Sequence, residues 1–108
     1  MVKKNKIRGG HPRFYELLDE IADLHERKNN GYAKDNDPLS NLRVAESFGI
    51  EAYKGVLIRL SDKWSRIQEL SKGKQDQVGE SLKDTLMDMS IYSLLAIVLL
   101  EEKPQKIK

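Results

Sequence analysis

The sequence contains no cysteine. That absence excludes disulfide cross-links, thiolate zinc sites and a cysteine nucleophile together. Long apolar runs are also missing. The longest low-charge stretch, Met89 to Leu100, has 12 residues, whereas a helix needs roughly 20 to span a bilayer, so no membrane partner is expected. The N-terminal residues Met1 to Lys6 are basic but have no apolar stretch behind them, so no secretory signal is expected either. No segment shows sustained period-two alternation between hairpin turns, so no sheet is predicted. What remains is 108 residues, 39% hydrophobic and 33% charged. That is the size and composition of one soluble domain, expected in the cytoplasm.

The net charge of +2 conceals an asymmetry. Lys3, Lys4, Lys6, Arg8 and Arg13 stand without an acid in residues 1–13, and Lys103, Lys106 and Lys108 end the chain. All 17 acids fall in residues 14–102, against 11 bases, which leaves that segment near −6. The chain therefore reads as a basic N-terminal arm (1–13), a folded domain (14–102) and a basic C-terminal tail (103–108). Basic ends of this kind can touch nucleic acid or a phosphate-bearing ligand, or simply be solvated.

Breakers at Gly9-Gly10-His11-Pro12, Asn29-Asn30-Gly31, Asp37-Pro38, Gly49, Gly73 and Gly79 divide the chain, and the apolar spacing between them is helical. Phe14, Leu17, Leu18, Ile21, Leu24 and His25 share one face of a first helix. Ser40 can cap a short helix that runs through Phe48 and ends at Gly49. Tyr53, Val56, Leu57, Leu60, Trp64 and Ile67 define a third, which stops near Ser71 to Gly73, and Trp64 is expected in the core. The last begins at about Gln77 or Ser81 and reaches Glu102, with Pro104 just beyond. The fold predicted is all-α, a bundle of three long helices and one short one. On a helical wheel the last helix is apolar nearly all round: Leu82, Leu86, Met89, Ser93 and Leu100 lie on one side, Ile91, Leu94, Leu95 and Val98 on the other. A helix of that kind is buried on all sides, so completion of the bundle by homo-oligomerisation, as a dimer or tetramer, is expected.

Chemistry is expected on the same helix. Glu80, Asp84 and Asp88 are spaced i, i+4, i+8, and the side they occupy continues as Ile91, Leu95 and Val98. Like charges at this spacing repel, and burial raises the cost unless a cation neutralises them. Carboxylate oxygens suit Mg²⁺ or Mn²⁺. Acids in a first helical turn are also favoured by the helix dipole, which accounts well for Glu80, partly for Asp84 and poorly for Asp88. Asp19, Glu20 and Asp23 lie opposite the apolar stripe of the first helix and read as a solvated face. Lys28 falls within that stripe, where a lysine must reach solvent at the helix end or meet an anion. Arg59, Asp62, Lys63 and Arg66 form either a surface ion-pair lattice or a metal ligand flanked by phosphate-binding cations, and spacing does not separate the two. Tyr32 is the one large ring in a polar loop from Asn29 to Asn41, either a ligand contact or a lid on the core.

Several segments resemble a known family. They are Lys28-Asn29-Asn30-Gly31-Tyr32, Asn41-Leu42, Leu57-Ile58-Arg59-Leu60-Ser61-Asp62-Lys63-Trp64-Ser65-Arg66, and Glu80-Ser81-Leu82-Lys83-Asp84-Thr85-Leu86-Met87-Asp88 followed by Ile91-Tyr92. The family is the nucleotide modification associated domain family of phages and bacteria. It is similar in turn to the MazG-like all-α nucleoside triphosphate pyrophosphohydrolases. The resemblance implies a helical dimer or tetramer that hydrolyses a nucleotide between its α and β phosphates with Mg²⁺ held by acids from two helices. On that reading Asp62, Glu80, Asp84 and Asp88 hold the metal, with Asp62 and Asp84 catalytic. Lys28, Arg59, Lys63 and Arg66 meet the phosphates, and Tyr32 and Asn41 meet the base or sugar. A phage-encoded chain would work in the host cytoplasm. The competing expectation is a non-catalytic helical dimer that binds nucleotide or DNA through its basic tails.

Overall fold

The computed structural model describes residues 8–32, 37–73, 79 and 81–102, with backbone alone at 31 and 32. Glu80 and both basic termini (1–7 and 103–108), expected above to act on metal and nucleic acid, lie outside the described residues. The elements are helix α1 (Pro12–Tyr32), a 3-10 helix (Ser40–Phe48), α2 (Ala52–Ser71) and α3 (Leu82–Glu102), with no strand among the described residues. The all-α fold, with three long helices and a short one, is as the spacing predicts. Among the described residues, no helix is long and apolar enough to cross a membrane.

Proline opens α1 because its missing N–H is one that no helical carbonyl would have received. The next free donors are met by His11: its Nδ1 accepts the Arg13 N–H at 3.0 Å and its carbonyl the Phe14 N–H at 3.0 Å. The chain just ahead folds back on the helix, where the Tyr15 hydroxyl donates to the Gly9 carbonyl at 2.6 Å. At the other end, α1 continues through Asn29-Asn30-Gly31, read above as the start of a loop. The physical reason lies in Asn29, whose amide donates to the Pro38 carbonyl. Engaged across space, that side chain does not compete for the backbone of its own helix.

The short helix is a 3-10 helix, longer than such turns usually run. Three residues per turn align Leu39, Leu42 and Ala45, and the first two are buried. Its start differs from expectation. Leu39, not Ser40, holds the cap position, with no side-chain cap of its own. Asp37 supplies the acceptors instead: Oδ1 takes the Leu39 N–H at 3.0 Å and the carbonyl takes the Ser40 N–H at 3.1 Å. Gly49 ends the helix as predicted, at φ +77°, while the Ile50 N–H reaches back to the Ala45 carbonyl at 3.1 Å.

Helices α2 and α3 run antiparallel, since Val56 and Leu99 meet in the core at one end and Lys63 meets Asp88 towards the other. The core comprises Leu39, Leu42, Ala52, Val56 and Leu99, with Tyr53, Tyr92, Leu95 and Ala96 packed around it. The 3-10 helix lies on α2 at Gly55, where an added Cβ would stand 2.8 Å from the Ala45 Cβ. Arg43 then ties this helix to the end of α3, donating to Asp37 at 2.6 Å and to Glu102 at 2.9 Å. One expectation is corrected here. Trp64 is 55% exposed rather than in the core. Leu57, on the same side of α2, is exposed as well. Helix α3 is not enclosed within one chain, as its all-round apolar pattern leads us to expect: Ile91 and Leu99 are buried, whereas Leu82, Leu86, Leu94, Ile97, Val98 and Leu100 are exposed.

Candidate functional site: a lysine-clamped carboxylate

Helix α3 begins with a reciprocal cap. Ser81 Oγ accepts the Asp84 N–H at 3.0 Å, and the Asp84 carboxylate reaches the Ser81 N–H at 3.4 Å. Thr85, with no exposed surface, donates its hydroxyl to the Ser81 carbonyl at 3.1 Å. Asp84 is thus exposed and engaged in the first turn, as the helix-dipole reading allows. One turn later the helix has rotated enough to carry Asp88 inward. The two carboxylates share a ladder in sequence but only the second faces the junction of the helices.

That junction is built from three elements. Lys28, near the end of α1, donates to Asp88 Oδ1 at 2.8 Å, and Lys63, from the middle of α2, donates to Asp88 Oδ2 at 3.0 Å. The anion that Lys28 needed in its apolar stripe is therefore Asp88. The Asp88 side chain is 15% exposed and that of Lys63 19%, so solvent screens this pair only in part. Burial pushes the Asp88 carboxyl upward, and the hydrogen bonds from Lys28 and Lys63 outweigh it, so the group lies below its ordinary value.

A cavity of about 50 Å³ opens at this cluster. His25, Lys28, Asn29 and Asn41 are among its lining residues, with Asp88 and Tyr92 from α3 and an apolar floor of Leu39, Leu42, Ile91 and Leu95. It has room for a few waters or one small polar group, and not for a nucleobase. Asn41 is thus brought to the cluster with Lys28, Lys63 and Asp88. The other expected site residues are placed differently. Asp62 and Arg59 are exposed on α2, and Arg66 is half-buried one turn beyond Asp62. Among the described residues Asp62 makes no ion pair with Arg59 or Arg66, so the surface lattice read from spacing does not form. Tyr32 is the last residue of α1, and its side chain lies outside the described residues. His25, Asn29 and Tyr92 join the cavity without having been assigned a role from sequence. Asn29 and Tyr92 stand inside the segments that carry the family resemblance, and that was the available signal.

Residues 48–100, which take in α2 and nearly all of α3, match the family described as nucleotide modification associated domain 1. The match covers just under half of the chain. Lys63 and Asp88 lie within the matched segment, whereas Lys28, Asn29 and Asn41 approach it from outside. No curated protein and no solved structure matches the chain.

The family resemblance implies a Mg²⁺ held by acids from two helices. Among the described residues no three His, Asp or Glu side chains gather closely enough to hold a metal ion. Asp84 is part of the helix cap, Asp62 faces water, and both oxygens of Asp88 already receive ammonium groups. The described side chains of a single chain do not fit a Mg²⁺ site.

Proposed function

We propose that this chain is a (deoxy)nucleoside triphosphate pyrophosphohydrolase, and that the Lys28–Asp88–Lys63 cluster is where the phosphate chain is met. One observation carries the reading: two ammonium groups from different helices converge on one inward carboxylate at the mouth of a small polar-rimmed cavity. The family match, with its association to nucleotide modification, supports the same substrate class.

The chemistry follows from charge. A nucleoside triphosphate brings several anionic oxygens, and Lys28 and Lys63 can exchange their carboxylate partner for phosphate oxygens without leaving a cation unpaired. Arg59 and Arg66 on α2 supply further positive charge to the outer phosphates. Releasing the lysines frees the Asp88 carboxylate to hold the attacking water. Water adds to the α-phosphorus, the bond to the oxygen bridging to the β-phosphorus breaks, and pyrophosphate leaves with the bonding pair. The nucleoside monophosphate keeps the oxygen of the water, whose proton passes through Asp88 to solvent. In such a reaction nearly all the catalysis is positioning and charge neutralisation. Because a base is too large for the cavity, base and sugar lie outside it, against Asn41 and the end of α1 at Tyr32.

The test is pyrophosphate release from a panel of ribo- and deoxyribonucleoside triphosphates, with and without Mg²⁺ or Mn²⁺. Release of monophosphate and pyrophosphate in equal amounts is expected, with loss in Asp88→Asn. Binding without any turnover would replace the hydrolase with a nucleotide-binding module. Absence of both would refute the nucleotide assignment altogether.

A further inference from the structure

The cavity beside Asp88 has walls of different make. Helix α3 brings Ile91, Tyr92 and Leu95 to it on a regular α-helix. Pro38, Leu39, Asn41 and Leu42 reach it from the entry and first turn of the 3-10 helix. Hydrogen bonds in a 3-10 helix have poorer geometry, so a run of nine residues needs support from side chains.

Arg43 supplies that support. Its Nε donates to Asp37 Oδ2 at 2.6 Å, and a terminal nitrogen lies 3.4 Å from Oδ1. The guanidinium thus reaches back six residues and closes 37–43 into a loop. Of the five residues between these ends, four line the cavity: Pro38, Leu39, Asn41 and Leu42. Asp37 is also bound to the loop's interior, since Oδ1 accepts the Leu39 N–H and its carbonyl the Ser40 N–H. Its carboxyl is held below the ordinary value, first by Arg43 and then by the Leu39 N–H, so the brace is ionised at neutral pH.

The same guanidinium fixes the loop in space. The nitrogen that approaches Asp37 Oδ1 donates to Glu102 Oε1 at 2.9 Å. Glu102 ends α3, so one arginine relates the loop wall to the helix that carries Asp88 and Tyr92. The Asn29 amide adds a second tie at the Pro38 carbonyl, next in sequence to the lysine that holds Asp88. A cavity of about 50 Å³ tolerates little play. Displacing a positioned group by about 1 Å can cost about 100-fold in rate.

We propose that Arg43 is a positioning residue: by closing 37–43 into a loop and tying it to Glu102, it sets the wall that carries Asn41, and thereby the affinity for a nucleotide it does not touch. That the ligand is a nucleotide rests on the reading above; the closure of the loop does not. Lysine is no substitute, because a single ammonium lacks the fork that spans both carboxylates.

Amide hydrogen exchange of the full chain, followed by NMR, tests this together with steady-state kinetics on the nucleoside triphosphate panel. In Arg43→Met the Leu39 and Ser40 amides should exchange about tenfold faster, while the Val56 amide in the core keeps its rate. KM should rise about tenfold with kcat within about twofold of wild type, and Arg43→Lys should recover only part of that loss. Arg13→Met is the control: Arg13 also bridges two carboxylates, Glu16 at 3.1 Å and Glu20 at 2.7 Å, but does not line this cavity. It should change neither readout. Unchanged exchange in Arg43→Met overturns the proposal, as does an unchanged KM or an equal rise of KM in Arg13→Met. A wild-type chain inert toward every nucleotide refutes the nucleotide reading instead. Exchange then decides the loop alone: faster rates uphold it and unchanged rates strike it down.

Discussion

Asp88 receives the Lys63 ammonium at 3.0 Å through a side chain only 15% exposed, and the same carboxylate holds Lys28 on its other oxygen. This ion pair joins α2 to α3 and places the inward carboxylate beside α1 as well.

Replacing Asp88 with Asn keeps the shape and removes the charge, leaving two ammonium groups facing a neutral amide. Hydrogen bonds to charged groups of this kind contribute about 1.5–3 kcal/mol each, and Lys28 is exposed enough to recover part of its loss in water. Urea denaturation should show Asp88→Asn less stable than wild type by about 1–3 kcal/mol. Equal midpoints would mean that the clamp contributes nothing.

The same cluster sets a pH dependence. The folded-state value of Asp88 lies below the ordinary carboxylate range, because its lysine partners outweigh burial. Its contribution is therefore full above the unfolded value of about 3.9 and is lost as pH falls through the lower folded value. Wild type should lose its advantage over Asp88→Asn below about pH 4. An advantage that persisted undiminished at lower pH would contradict the assignment.

Gly55 owes its place to a close approach. Alanine there gains helix propensity of up to about 1 kcal/mol, yet its Cβ would sit 2.8 Å from the Ala45 Cβ, which has no flexible end to yield. Gly55→Ala is expected to cost about 1–3 kcal/mol. Adding Ala45→Gly should return much of that loss, and a double-mutant cycle by thermal or urea denaturation measures the coupling. Additive effects would place the cause elsewhere.

Ser81 is the cap of α3, and Ser81→Ala should cost about 1 kcal/mol. Since this cap lies outside the lysine cluster, nucleotide turnover per folded molecule should stay at the wild-type rate. A large fall in turnover with stability unchanged would move Ser81 and its partner Asp84 into the site.

The architecture was legible because helix periods, Gly49 and the breakers around α2 are local signals, and local backbone energetics largely decide where helices start and stop. Lys28 was legible in part for a related reason: a cation in an apolar stripe must reach solvent or meet an anion, and the anion it meets is Asp88. The exceptions are all tertiary. Asn29 looks like a breaker until Pro38 takes its amide, and Asp37 supplies the acceptors expected of Ser40 by taking the Leu39 and Ser40 N–H groups. Trp64 shares an apolar stripe with Leu57, but a stripe does not say which neighbour covers it. Asp84 and Asp88 look equivalent at i, i+4, and only the docking of α1 and α2 against α3 shows that one caps and the other is clamped.

The most direct test of the central claim is pyrophosphate release by the full chain over the nucleoside triphosphate panel, compared with Asp88→Asn and Lys63→Met under conditions where each stays folded. The account predicts equimolar monophosphate and pyrophosphate from wild type, and a fall of at least about 100-fold in both variants. Equal turnover in wild type and Asp88→Asn, or no nucleotide bound or hydrolysed by the wild-type chain, would contradict it.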